Sequence, residues 1–522
     1  MSSHSLSLHR CRRAFLAVAV GFLVPMLGVG PAALRAQVIQ IKTLPIADGD
    51  QWRFFPSANL ALGGLSIALR DSLADPFENP AKGARLSDRG GGVYFGSPTF
   101  YSVSQDAGGG KTLPLGGIVR GGSNFGGVAV AIQEIDNPRT AFTVSPGIGL
   151  FESDGTQLPP PPTPSRQNRF AFATLGHVFA SRGISVGGSA QWSGLNDIDG
   201  VDLLYAGSQS VAQHGGAVDL RLGMLKQWRD GGALEAMLLR DRFAMTHDVT
   251  WVDQFWNPNT RAFDSRARVD NNLDRTNMWG LHLGYSRPMG DSGWRVGAIA
   301  TTNLSSHPKL PDYQISQVMT IPWDPGHSAA YDLGLGVSKV QGMVTFGVDA
   351  IYEPIRTHTW GETPDSIPTA FGTIPAGGKT TENNFSFSNA ILRAGVGQEF
   401  PIDTLHSPLR AIRLQFGVAL RSIDYTLHQL DHVTMLERRQ HESWLEWTRT
   451  WGFGIRFPDL ELHYVGWQTT GTGRPGVSSS RGDVVVAPAA STGQNILAVP
   501  TGATLTGVVV TTHQLSVSVP IR

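Results

Sequence analysis

Few residues of this 522-residue chain are spaced for chemistry. His428, Asp431, His432 and His441 share one stretch, and His428-x-x-Asp431-His432 offers two imidazoles and a carboxylate to a metal. No fixed element spaces them as a metal site requires, so they read as solvated loop residues; no metal and no other cofactor is assigned. Gly334-x-Gly336 lacks the helix that follows a nucleotide-binding turn and belongs to an alternating strand. Arg481-Gly482-Asp483 lies in a Gly/Ser-rich loop and carries no assigned role. No set converges for acid–base or nucleophilic work, so an enzyme is not expected. The remaining charges of interest come singly on strand-like runs: Asp332, Asp349, Glu353, Arg393, Arg413 and Arg421, with Asp219, Arg221 and Glu399. Such charges either select a solute along a lumen or form a neutral ladder that holds something within it.

The elements that must position them are strands. In Trp279–Ser286 each odd position is apolar and each even one small or polar. Leu333, Leu335 and Val337 oppose Asp332, Gly334, Gly336 and Ser338, and Val344, Phe346 and Val348 oppose Thr345, Gly347 and Asp349. Ile412, Leu414, Phe416, Val418 and Leu420 oppose Arg413, Gln415, Gly417, Ala419 and Arg421. Period-two alternation sends one set to each face of a sheet. A soluble sandwich would alternate too, but runs beyond ten residues favour a membrane barrel. The end of the chain fits a closing strand, with Leu515, Val517, Val519 and Ile521 on one face, although it finishes Pro520-Ile521-Arg522 and not on an aromatic residue.

Connections alternate in length. Short ones fall near Gly121–Asn124, Ser181–Gly183, Arg229–Gly232, Pro288–Ser292, Val340–Gly342, Pro401–Pro408 and Phe457–Asp459. Long ones fall near Asp136–Gln167, Leu195–Gln213, Asp248–Arg275, Ser305–Ala329, Thr357–Asn384, His428–His441 and Thr470–Thr504, with a proline-rich tip at Pro159–Pro164. Outer-membrane barrels have short periplasmic turns and longer outer loops. The count comes to fourteen to sixteen strands.

Composition agrees. Lys plus Arg and Asp plus Glu are 42 each, which gives no sign of a nucleic-acid partner. Sixty-two glycines and thirteen tryptophans suit tight strands and interfacial aromatics. Residues 1–36 read as a signal peptide: His9, Arg10, Arg12 and Arg13 precede the apolar run Ala14–Val29, and Leu34-Arg35-Ala36 precedes a cleavage point. Cys11, the only cysteine, lies within it. No later apolar run is long enough for a membrane helix. The expected plan is a signal peptide over 1–36, an N-terminal plug over 37–90 and an all-β transmembrane barrel over 91–522.

The plug stretch is unlike the rest. Gly63-Gly64 allows tight backbone, and Asp75-Pro76 and Asn79-Pro80 each set a capping side chain before a helix-starting proline. Ala61, Leu62, Gly63, Gly64, Ser66, Ile67, Ala68 and Asp71, followed by Asn79, Pro80 and Ala81, resemble the N-terminal hatch of outer-membrane long-chain fatty-acid transporters of the FadL type. The motif is similar also to that of their PorV-like relatives associated with protein secretion. The resemblance implies a bacterial outer-membrane barrel, fourteen-stranded in that family, that passes hydrophobic solutes once a hatch shifts. Gly63, Gly64, Asp71, Asn79, Pro80 and Ala81 would then be its hatch motif, and Trp251, Phe255 and Trp256 an outer capture site or interfacial anchors. The partners implied are outer-membrane lipid and a hydrophobic small molecule. In the PorV-like alternative, the barrel would bind an envelope protein partner.

Overall fold

The computed structural model describes residues 38–43, 47, 51–53, 55–71, 73–86, 92–105, 108–136, 167–199, 201, 210–307, 325–363, 365–402, 408–475 and 505–521. The expected leader, the Pro159–Pro164 tip and Arg481–Asp483 lie outside the described residues.

Sixteen antiparallel strands form the wall among the described residues. They are β1 (Gly92–Gly96 continued by Thr99–Val103), β2 (Gly109–Gly121), β3 (Asn124–Asp136), β4 (Gln167–Phe179), β5 (Ile184–Leu195), β6 (Ser210–Gln227), β7 (Ala233–Asn257) and β8 (Ala262–Pro288). The circuit continues through β9 (Trp294–Ser306), β10 (Gly326–Gln341), β11 (Val344–Glu362), β12 (Lys379–Pro401), β13 (Ala411–Asp431), β14 (Leu436–Arg456), β15 (Glu461–Pro475) and β16 (Leu505–Ile521). Each pairs with the next, and β16 pairs back onto β1, so the sheet has no free edge. The two pieces of β1 keep one register: Gly96 faces Val517 and Leu115, Thr99 faces Gln514 and Thr112. The break between them is Pro98, which has no N–H to give the ladder but still accepts from Leu515 N at 3.0 Å. Sixteen is the upper end of the expected range and two more than the resembled family has.

All seven expected short turns join strands at one end. The tightest, Gly122-Ser123 and Gly342-Met343, use glycines at φ 62 and 61°, the left-handed region that two-residue hairpins require. Two expected long loops are corrected. Asp248–Arg275 is the outer part of β7 and β8, turning only at residues 258–261, and His428–His441 is the outer part of β13 and β14, turning at 432–435. These strands continue beyond the apolar belt, where both faces meet polar surroundings and the alternation that would mark them disappears.

The polarity of the wall is inside out. Leu335 (69% exposed), Phe416 (59%) and Val128 (58%) face outward, whereas Thr512, Gln514, Gln133 and Asn168 are fully buried on the inner face. In water this would discard the main driving force of folding; in lipid it satisfies it. No helix among the described residues is long and apolar enough to cross a membrane; the strands cross it. A sandwich, which buries its apolar face, is excluded by the same observation.

Candidate functional site

Residues 55–71 and 73–86 fill the short-turn half of the lumen, and the sequence explains their irregular path. Leu60–Leu62 makes one 3-10 turn that ends at Gly63, with Gly63 and Gly64 both left-handed at φ 75 and 74°. The chain doubles back, and Asp71 pins the loop: its carboxylate accepts from Ser57 Oγ (2.6 Å) and from the amides of Ala58, Asn59, Leu73 and Ala74 (3.0–3.1 Å). Asn59 crosses the loop, donating to Leu65 O at 3.0 Å. The helical turn Asp75–Glu78 has no side-chain cap, so Asp75 is not the cap expected; Asp71 instead holds the two residues before the turn through its carboxylate and accepts from Asp75 N through its carbonyl. Asp75 lies inside the turn because its carboxylate is drawn to Lys82 and Arg85. The second cap is as expected: Asn79 Oδ1 accepts from Ala81 N at 3.1 Å and Pro80 opens the turn Pro80–Arg85.

The wall grips this hatch on every side. Asp349 accepts from Ser66 N and Ile67 N (2.8 and 3.2 Å), and Arg393 donates to Gly64 O and Ser66 Oγ. Thr450 Oγ1 accepts from Gly63 N (3.0 Å) and donates to Ala61 O (2.8 Å). Ser338, Gln415, Ser185 and Arg221 donate to Ala68, Ala58, Ala81 and Glu78 carbonyls at 2.8–3.0 Å. The buried Lys82 ammonium bridges Asp75 (3.2 Å) and Glu235 (3.0 Å), and Asn79 Nδ2 also donates to Glu235. Burial opposes the Lys82 charge, yet Asp75, Glu235 and Glu78 hold that charge well above the ordinary lysine range.

Inward glycines make the seat. A Cβ at Gly395 would stand 2.5 Å from Leu62 O and 2.7 Å from Leu62 C. At Gly297 it would stand 2.6 Å from Ile67 O, and at Gly187, 2.8 Å from Pro80 C. Real Cβ atoms do not approach so closely, so the hatch backbone lies directly on the wall backbone.

Burial pushes the Glu78 carboxyl of the hatch up from 4.5 to about 7; Lys82 opposes the shift, and Asp75, Asp71 and Glu235 add to it. A raised carboxylate pKa favours the docked hatch fully below pH 4.5, and the benefit is lost as pH rises to about 7. Once the base-catalysed rise in intrinsic exchange is divided out, hatch amides should therefore be less protected at pH 8 than at pH 5. Glu78→Gln should flatten the difference, measured by hydrogen exchange in detergent.

Above the hatch, residues 38–43 thread the other half of the lumen. Ile39 N donates to Asn303 Oδ1 (2.7 Å), Arg421 donates to Gln40 O (2.9 Å), Lys42 pairs with Glu446 (2.7 Å), and Tyr425 OH donates to Thr43 O (3.0 Å). Ile39 and Ile41 fill an apolar recess in the polar lumen, lined by Ile355, Phe385, Phe387, Tyr425, Leu427 and Trp444. The Phe387 and Tyr425 rings lie 5.0 Å apart and Trp444 meets Tyr425 edge-on at 6.3 Å.

All six predicted luminal charges face inward, and most are occupied. Asp349 and Arg393 hold the hatch; Arg421 joins Glu353 (3.0 Å) to the threaded segment; Arg413 pairs with Glu399 at 2.9 Å. Asp332 stands beside Glu353 on the same wall. The predicted capture residues are not brought to the recess: Phe255 and Trp256 are exposed near the outer end of β7, and the Trp251 side chain lies outside the described residues. His432 binds Glu382 (3.3 Å) and His441 binds Asp424 (2.9 Å), and no group of three metal-ligating side chains forms among the described residues. The aromatic recess was missed, although Phe385 and Phe387 share the odd, inward parity of Arg393 and Gly395.

No protein-family model matches the sequence, and no curated protein matches it. Among solved structures the chain is similar to a FadL homologue of Pseudomonas aeruginosa at 13% identity, covering 91% of this chain and 99% of that one, with a TM-score of 0.39. It is similar also to the CymD monoaromatic hydrocarbon channel (10% identity, 91% and 99% covered, TM-score 0.32) and to a TodX monoaromatic hydrocarbon channel mutant (12%, 88% and 97%, 0.33). With its apolar exterior, closed sheet and luminal hatch, the chain is an outer-membrane β-barrel that resembles the long-chain fatty-acid transporter type.

Proposed function

We propose that the barrel carries hydrophobic compounds, long-chain fatty acids among them, passively across the outer membrane. The observation that carries this reading is the aromatic recess, an apolar site in a polar lumen whose present occupants are Ile39 and Ile41 of the chain itself. A solute of similar polarity that displaced them would bury its surface against Phe385, Phe387, Tyr425 and Trp444. In this reading Gly63, Gly64, Asp71, Asn79, Pro80 and Ala81 shape the closure that must shift for release. Asp349, Arg393 and Arg421 hold the closure and threaded segment, and do not select the solute. The test is uptake of radiolabelled oleate and toluene by cells carrying Phe385→Gln with Phe387→Gln. Two polar side chains in the recess forfeit about 3 kcal/mol of apolar burial, so uptake should fall about tenfold or more at equal barrel abundance. Unchanged uptake of both solutes would overturn the proposal.

A further inference from the structure

A second cavity, of about 780 Å³, opens at the short-turn mouth beneath the hatch, the periplasmic end by turn length. Leu62, Leu69, Val340 and Met343 supply its apolar wall, and Arg70, Arg85 and Arg413 its cations. The carboxylates there are engaged: Asp75 holds Lys82 and Arg85, and Glu399 holds Arg413 and Arg456. Among the described residues neither Arg70 nor Arg295 forms an ion pair with a carboxylate, although Asp75 is near enough to act on Arg70. Both guanidinium groups converge on a single carbonyl, Gly231 O, at 3.1 and 3.2 Å, and Arg295 reaches Ser286 Oγ at 3.4 Å. Two cations share one neutral acceptor: Arg70 lines the cavity next to Leu69, and Arg295, outside that lining, meets it on the same carbonyl. Arg70 lies below its ordinary range, at about 10, through burial and the nearby Arg85 and Arg295. An anion at this point would relieve that repulsion and accept the donors that one carbonyl leaves over.

We propose that this mouth is a binding site for an anionic amphiphile, its headgroup on Arg70 and Arg295 and its tail along Leu62, Leu69, Val340 and Met343. The site is separate from the aromatic recess and goes beyond the transport reading. Its ligand is either a solute carboxylate leaving the lumen or the phosphate of an inner-leaflet lipid.

Met343→Cys in a Cys11→Ser background places a single thiol in the cavity wall, and its alkylation by a maleimide in non-ionic detergent reports occupancy. Laurate should slow alkylation about tenfold, the scale of a charge-assisted pair, and dodecanol should not. Arg70→Gln, alone and with Arg295→Gln, should abolish protection, and Phe385→Gln/Phe387→Gln should leave it intact even where uptake fails. Protection by laurate but not by dioctanoyl phosphatidylglycerol identifies the solute as the source; protection by both identifies the lipid headgroup as a ligand as well. Equal protection by dodecanol, or protection that survives in both arginine variants, overturns the proposal.

Discussion

Gly395→Val will turn a closed barrel into a leaky one. The new Cβ must occupy space 2.5 Å from Leu62 O and 2.7 Å from Leu62 Cα, and both are hatch backbone that cannot rotate away. The wall cannot yield either, because β12 is paired along its length with β11 and β13. Overpacking of this kind costs about 1–3 kcal/mol in a protein core. Here the hatch can escape that cost by leaving its seat, so ion conductance in planar bilayers should rise about tenfold or more. Valine is a good strand former, so the barrel itself should assemble. Gly507→Ala, on the same type of strand but with open space around the added carbon, is the control and should leave conductance unchanged. Equal conductance in the two variants would mean that the hatch does not seal the lumen.

Lys82→Met will release the second half of the hatch. Lys82 is 6% exposed between Asp75 and Glu235, and removing it leaves Glu235 with the Asn79 amide as its one hydrogen-bonding hatch partner among the described residues. Breaking a buried ion pair from one side costs about 3–5 kcal/mol, because the remaining charge loses its compensation. Amides of residues 73–86 should exchange about a hundredfold faster, with strand amides unaffected. Pairing the change with Glu235→Met should recover most of the protection, since an apolar pair of like volume replaces the ions. If the single variant exchanges as slowly as the parent protein, hydrogen bonds such as Ser185 to Ala81 O hold the hatch without the ion pair.

The wall was legible because lipid writes a simple code. Leu333, Leu335 and Phe416 had to alternate with Asp332, Gly336 and Gly417, and the turns between them are short enough to read directly. The code ends where the membrane ends, which is why the outer parts of β7, β8, β13 and β14 read as loops. Asn79-Pro80 was legible as a cap because its partner, Ala81 N, is two residues away. The work of Asp71 was not, since the amides it binds, at 58, 59, 73 and 74, meet only after the chain doubles back. Inward glycines read only as small residues. Gly395-Val396-Gly397 and Gly452-Phe453-Gly454 announce a vacant inner face, but not what lies against it.

The hatch bonds have a consequence for the order in which the molecule is made. Gly63 emerges early from the ribosome, yet its partner Thr450 comes 387 residues later; Ser66 waits 283 residues for Asp349. Turns as short as Leu60–Leu62 and Asp75–Glu78 have too little internal bonding to persist alone in water. During export the segment must therefore travel unstructured, and it acquires its shape only when β11 to β14 stand around it. Closing so large a loop is slow. The β16–β1 seam, which brings the two ends of the wall together, seals the space the segment must by then already occupy or be drawn into. The hatch, synthesised ahead of every strand of the wall, thus takes its shape only once the strands that hold it are present.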